Sequence, residues 1–419
     1  MSHTENIRIT DLARPELSPK AREFIAATRD IAVAFTVDAV RQAAAAQLNG
    51  IALHDDPGLH ERLGVLCAAM DEDADLSPMG RLSLFGMLVR YLVQRCRLEQ
   101  LYREHPEIEE VEIRAPLVIT GLPRSGTTHL LNLISTDPRL RSLQYWESLE
   151  PIPRADEPAT AGVEDPRIQR CRDELAMRNE ILPLFDAMHD MHPFHIHEEI
   201  ELLAMDFSTA LFDTMAQLPR WTDYYLAHDQ TPHYEFLGRC LKALQWLRGP
   251  ERWVLKSPQH LEQLAPLMNA FPDARVVVTH RDPVSVMASM MTMVAYAARM
   301  SRDPVRPAVI GETIRERMVL RLRALVETRH LLPPQQSVDV LFHEFMADDV
   351  ATVERIYAMA GHPMTPAVRD AMKRYMGEHP RGKHGQVVYD MKADFGIDPA
   401  AVREQLGFYY RAFPVKVGA

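Results

Sequence analysis

Hydrophobic positions along the chain change their spacing near residue 114. Upstream they recur at helical intervals. Residues 20–48 are Ala-rich and run mostly without helix breakers. In residues 80–102 (GRLSLFGMLVRYLVQRCRLEQLY), Leu82, Phe85, Leu88, Val89, Leu92 and Val93 fall on one helical face. The spacing predicts a helical N-terminal region over residues 1–110. Downstream, short continuous apolar runs take over at 116–120 (PLVIT), 253–255 (WVL), 275–279 (RVVVT) and 338–342 (VDVLF). Such runs suit parallel strands buried on both faces. Helical periodicity separates them at about 199–217, 231–247, 260–270, 284–300 and 308–331, and returns near 350–360, 366–377 and 399–411. Strands alternating with helices predict an α/β domain over residues 111–419, a mostly parallel sheet flanked by helices. Residues 150–166 (EPIPRADEPATAGVEDP) are Pro- and acid-rich and predict an exposed loop.

Composition narrows the function classes. The 419 residues carry 47 basic and 58 acidic side chains, a net charge of −11. That balance argues against a nucleic-acid partner, though not against a local basic pocket for a small anion. No apolar stretch reaches the ~18 residues of a transmembrane helix. The opening residues lack the apolar core of a secretory signal. Cys67, Cys96, Cys171 and Cys240 are far apart, with no zinc or disulfide spacing, so a cytoplasmic location is expected.

The candidate chemistry begins at Gly121-Leu-Pro-Arg-Ser-Gly126-Thr127-Thr128, between a predicted buried strand and a predicted helix. A glycine turn opening a helix gathers backbone N–H groups and the positive end of the helix dipole, which suits a phosphate. Gly121 and Gly126 have the spacing of the nucleotide-binding P-loop, but Thr127 stands where that loop has lysine. Arg124 is the cation within the turn. A P-loop kinase with Asp282 holding magnesium is the alternative enzyme class, and a non-catalytic nucleotide-binding protein is the third reading.

With PRSGTT in this setting, the chain resembles the PAPS-dependent sulfotransferases, most closely the broad bacterial branch. The resemblance runs over most of residues 114–412. It implies that Arg124, Ser125, Gly126, Thr127 and Thr128 cradle the 5′-phosphosulfate. A second motif, RVVVTHRDPVSVMASM at 275–290, matches the family in order and distance. Arg281 and Ser289 then hold the 3′-phosphate. The family often carries a lysine at the position of Lys256 in WVLKSP, where it neutralises charge on the bridging oxygen. It also places a basic loop near the C-terminus over the 3′-phosphate, which makes Arg381, Lys383 and His384 candidates. RGKHG departs from the family's usual form of that loop.

Sulfuryl transfer needs a base for the acceptor hydroxyl. Residues 185–201 (FDAMHDMHPFHIHEEIE) supply His189, His192, His195 and His197, followed by Glu198 and Glu199. The resemblance implies a histidine followed about nine residues on by an acidic pair, which makes His189 the favoured base, with Glu198 or Glu199 orienting it or facing substrate. Glu147 in SLQYWESLE is the rival. Zinc binding by the histidines is a further alternative. The resemblance implies PAPS as donor, PAP as product and no required metal. The acceptor is expected to be a hydroxyl on a small or lipid-like molecule, for which the Met-rich stretch 286–300 offers either a pocket wall or plain core. A homo-oligomer is compatible with everything above.

Overall fold

The computed structural model of the chain describes residues 6–72, 75–157, 162–249, 251–380 and 385–418. Its centre is a parallel sheet of β2 (Leu117–Gly121), β3 (Leu140–Ser142), β4 (Arg252–Lys256), β5 (Arg275–His280) and β6 (Ser337–Leu341). The spatial order is β3-β4-β2-β5-β6. All four predicted strands are present, each within two residues of its expected ends. Within this sheet the strand that the apolar pattern did not reveal is β3, whose sequence Leu-Arg-Ser carries one hydrophobic residue. A second, two-stranded sheet pairs β1 (Asn6–Ile7) with β7 (Gln386–Val387) in parallel.

The strand order puts β2 in the middle, with β4 and β5 on either side. Ile119 is in register with both Lys256 and Val277, so the C-terminal ends of the three central strands open onto one crevice. In an open parallel sheet this is where ligands bind.

The expected helices form with four corrections, one of them the 260–270 stretch, which is a 3-10 turn, Pro258–Glu262, followed by the short helix Leu264–Ala270. The 20–48 stretch is two short helices, Pro19–Ala27 and Val37–Ala45, each started by a hydroxyl cap, Ser18 and Thr36. The 199–217 stretch holds only the short helices Ile200–Ala204 and Phe212–Met215. Between them Phe207 turns left-handed at φ 50°. There the Gln259 side chain takes over backbone pairing, accepting from Ala210 N at 2.7 Å and Thr209 Oγ1 at 3.0 Å. The 399–411 stretch is split into Pro399–Gln405 and Gly407–Ala412.

The long helix Pro78–Glu104 is more than amphipathic. Every residue from Tyr91 to Leu98 is buried, Gln94, Arg95 and Arg97 included. Buried charge requires partners. Arg95 finds Asp206 at 2.6 Å and Glu99 at 3.1 Å, while Gln94 accepts from Ile152 N at 3.0 Å. One apolar core runs from Ile9 through this helix to Val276 and Val278 of β5 and on to Tyr409. Within it Met287 and Met291 are fully buried, so the Met-rich stretch packs as core there. No helix among the described residues is long and apolar enough to cross a membrane.

Candidate active site

β2 ends at Gly121, whose α-carbon lies so close to β5 that an added Cβ would sit 1.9 Å from Thr279 Oγ1. The chain turns through Arg124 at φ 68° and Gly126 at φ 89°, and the helix Thr127–Ile134 begins. Ser125 fixes the turn from inside. Its Oγ donates to Leu122 O at 2.5 Å and lies 2.7 Å from Thr279 Oγ1. No side chain caps the helix at Gly126. Its first N–H groups, near Thr127 and Thr128, therefore remain available to an anion, with the helix dipole behind them.

Three side chains converge on this turn. Arg124 Nε donates to Ser289 Oγ at 3.1 Å, and its Nη1 donates to Met188 O. Arg281 Nη1 donates to Arg124 O at 2.7 Å, and its guanidinium lies 4.1 Å from the Phe342 ring centre. Burial, and then the charge of Arg124, hold Arg281 below the usual arginine range. An anion between the two guanidiniums would relieve that repulsion. The structure thus brings together Arg124, Ser125, Gly126, Arg281 and Ser289. Arg381, Lys383 and His384 lie outside the described residues.

Lys256 ends β4 beside β2 and is 3 % exposed. Its ammonium pairs with Glu198. Its backbone N–H donates to Glu199 Oε2 at 2.8 Å. Glu199 Oε1 is 2.5 Å from His260 Nε2, and His260 Nδ1 is 2.7 Å from Tyr234 OH. Glu199 is therefore a fully buried tie between β4 and its flank, with its two carboxylate oxygens taken up by Lys256 N and His260. Burial pushes its carboxyl up, but the bond and charge of His260 and the Lys256 N–H outweigh it, leaving it below its ordinary value. His260 escaped the sequence reading although KSPQH sets it four residues after Lys256.

His189 is delivered to the phosphate turn by its own neighbour, because Arg124 holds the Met188 carbonyl. The histidine segment is also stitched to the chain beyond β3: Tyr145 N donates to His195 O at 2.9 Å, and His197 N to Leu143 O at 2.8 Å. The His189 and His195 rings meet edge to face at 5.2 Å, and those of His195 and His197 at 5.8 Å. Burial, followed by the neighbouring His195, Lys256, His197 and Arg124, presses His189 well below an ordinary histidine. His195 is driven down to about 2 by burial, His197 and Lys256. Among the described residues no three His, Cys, Asp or Glu side chains are grouped to hold a metal.

Glu147 sits elsewhere. It is 2 % exposed and locked between Arg248 at 2.8 Å and Arg141 at 3.0 Å. Arg248 closes the helix Thr231–Arg248, just before β4 begins. The Glu147 carboxylate is thus engaged by two arginines near the start of β4, the opposite end of that strand from Lys256. Asp282 is likewise unsuited to magnesium. It is fully buried and accepts from Tyr410 OH at 2.5 Å, Gly418 N at 2.8 Å and Val284 N at 3.2 Å.

Comparison with known proteins agrees with this geometry. The profile of the Sulfotransferase family matches residues 116–366, more than half of the chain. Sulfotransferase STF1 from Mycobacterium tuberculosis H37Rv is similar in structure, with a TM-score of 0.76, 28% identity, and coverage of 90% of this chain and 99% of that one. Sulfotransferase STF9 from Mycobacterium avium shares the fold at a TM-score of 0.79 and 24% identity, over 92% and 98% of the two chains. No curated protein sequence matches significantly. A parallel sheet that feeds its central strand into an uncapped glycine turn, and a profile match spanning that sheet, lead to one assignment: the chain belongs to the sulfotransferase family.

Proposed function

We propose that the protein transfers a sulfuryl group from PAPS to a hydroxyl of a small or lipid-like acceptor. The carrying observation is the meeting of Arg124, Arg281 and Ser289 at the open end of the loop helix. PAPS supplies an activated sulfuryl group and departs as PAP. The loop amides and Arg124 suit its 5′ end, and Arg281 with Ser289 suits the 3′-phosphate, where a guanidinium fork and a hydroxyl match a dianion. Lys256 stands beside the turn as the cation for charge that builds on the leaving oxygen, with Glu198 as its partner beforehand. Side-chain cations fill the role here that magnesium has in phosphoryl transfer.

His189 takes the acceptor proton. Its depressed pKa keeps the ring neutral at pH 7, and its neighbours Lys256 and Arg124 are the groups assigned to the donor. Bringing base and donor cations within one charge-coupled cluster supplies orientation, which is most of what an in-line displacement asks of a protein. The acceptor oxygen bonds to sulfur as the bridging oxygen leaves with its electron pair. A cytoplasmic site of action goes with this reading, in keeping with four buried cysteines that remain thiols.

Calorimetry with PAP, AMP and magnesium–ATP tests the donor class. PAP is expected to bind tightest. Equal affinity for the three ligands would remove the 3′-phosphate cup. Arg281→Ala should weaken PAP by about 10- to 100-fold, the worth of a charged hydrogen bond. His189→Ala should leave PAP affinity intact and lower turnover with PAPS and a panel of phenols and lipid alcohols by about 10²–10⁴. Full turnover in that variant would overturn His189 as base.

A further inference from the structure

Arg281 stands between two residues that are both gripped by the C-terminal segment. On one side, His280 Nδ1 is 2.9 Å from Tyr409 OH, and the Phe413 ring lies 4.1 Å from the imidazole centre. The other imidazole nitrogen is 2.9 Å from Asp339. On the other side, Asp282 receives the Tyr410 hydroxyl at 2.5 Å and the Gly418 N–H at 2.8 Å, with Arg403 at 3.5 Å. Tyr409 is 1 % exposed, and His280 and Asp282 are fully buried. Among the described residues Asp282 also meets Val284 N and Ser285 Oγ, both at 3.2 Å, at the start of the helix Pro283–Ala297, and its charge is felt by Arg281.

This arrangement answers a chemical difficulty. An aspartate next to a phosphate-binding arginine is a built-in competitor for the guanidinium, and a repulsive neighbour for the phosphate. Here the carboxylate is turned onto Tyr410, Gly418 and Arg403, while the guanidinium donates to Arg124 O at 2.7 Å. We propose that the C-terminal segment, through Tyr409, Tyr410 and the Gly418 amide, is a positioning element for 3′-phosphate recognition that holds Asp282 and His280 so that Arg281 is aimed at the donor. The proposal rests on the reading of Arg281 given above. Bidentate recognition fails when the fork is displaced by a fraction of an ångström, so a strap acting one residue away is close enough to matter.

The test compares PAP with AMP, which lacks the 3′-phosphate. In Tyr410→Phe, PAP should bind about tenfold more weakly, the low end for a hydrogen bond to a charged group, while AMP binds as to the unaltered chain. Tyr409→Phe is the second variant, with the same expected split. Combined with Arg281→Ala, neither change should weaken PAP any further. Equal losses for PAP and AMP, no loss at all, or additive losses in the Arg281→Ala background would each overturn the positioning role while leaving the donor assignment standing. An unaltered chain that binds PAP and AMP alike would overturn the donor assignment, and the strap with it.

Discussion

A histidine can act as a base only while its surroundings keep the proton off. Around His189 they do so from several directions: burial, two further histidines, Lys256 and Arg124. Because its pKa is depressed, the active neutral form should persist well below pH 6.5. The acid limb of kcat is therefore expected below the range of an ordinary histidine. A limb centred near 6.5 in a pH–rate profile would show that another group, or an unperturbed ring, carries the step. The same burial has a stability sign. His195 titrates near 2 when folded and near 6.5 when unfolded, so the unfolded chain binds the extra proton. Stability should fall as pH drops below 6.5, by about 1 kcal/mol per pH unit for such a group, readable as a falling Tm. Glu147 invites the opposite experiment. Removing its charge leaves the mostly buried Arg141 without its carboxylate, while the exposed Arg248 keeps Asp165 and the Trp146 face, at a cost of about 1–3 kcal/mol. Glu147→Gln should lower Tm by several degrees, yet the fraction that remains folded should turn over normally. A loss of kcat in fully folded protein would return Glu147 to the reaction. The sequence could not separate these two residues, since each follows an apolar segment at plausible distance from the turn. Only the partners, two arginines for one and a cationic cluster for the other, tell them apart.

At the scale of elements, what was legible follows from burial on both faces. β2, β4 and β5 are covered above and below by helices, so their residues are almost uniformly apolar and stand out as runs. β3 lies at the sheet edge, carries Arg141 and Ser142, and has no such signature. The broken 199–217 stretch was illegible for another reason: a glutamine 49 residues downstream of Ala210 supplies the bond that ends the helical pattern. Long-range partners leave no local trace. The glycine turn was legible because its chemistry is local, and its closest contact is also its weakest point. Gly121→Ala would drive a methyl into Thr279 Oγ1, the group that braces Ser125. β2 and β5 cannot part without breaking five residues of register. The expected outcome is a loss of about 2–4 kcal/mol in stability, from overpacking and a broken buried bond together, with the thermal shift on adding PAP abolished. An undiminished shift would mean that the turn tolerates a wider β2–β5 gap than its contacts imply.

Across the whole molecule, the helical N-terminal region and the sheet share their interior. Asp206, just after the histidine segment, accepts from Arg95 of the long helix at 2.6 Å, Arg62 at 2.9 Å and His233 at 2.5 Å. Three separate elements thus converge on one buried carboxylate. Tyr91 of the same long helix donates to Glu201, which lies 3.8 Å from His197. The chain of contacts continues ring by ring to His189. The N-terminal helices are therefore tied to the histidine cluster through Tyr91 and Glu201. Two consequences separate this arrangement from a pair of autonomous domains. Calorimetric melting should give one transition with matching calorimetric and van't Hoff enthalpies, because neither part can lose the shared core alone. A chain lacking residues 1–104 should fail to fold, since it would expose the apolar flank of the helix Thr231–Arg248 and strand Asp206 without Arg95 and Arg62. Two resolved transitions, or a truncated chain that still shows a PAP-dependent thermal shift, would mean that the sheet is self-sufficient.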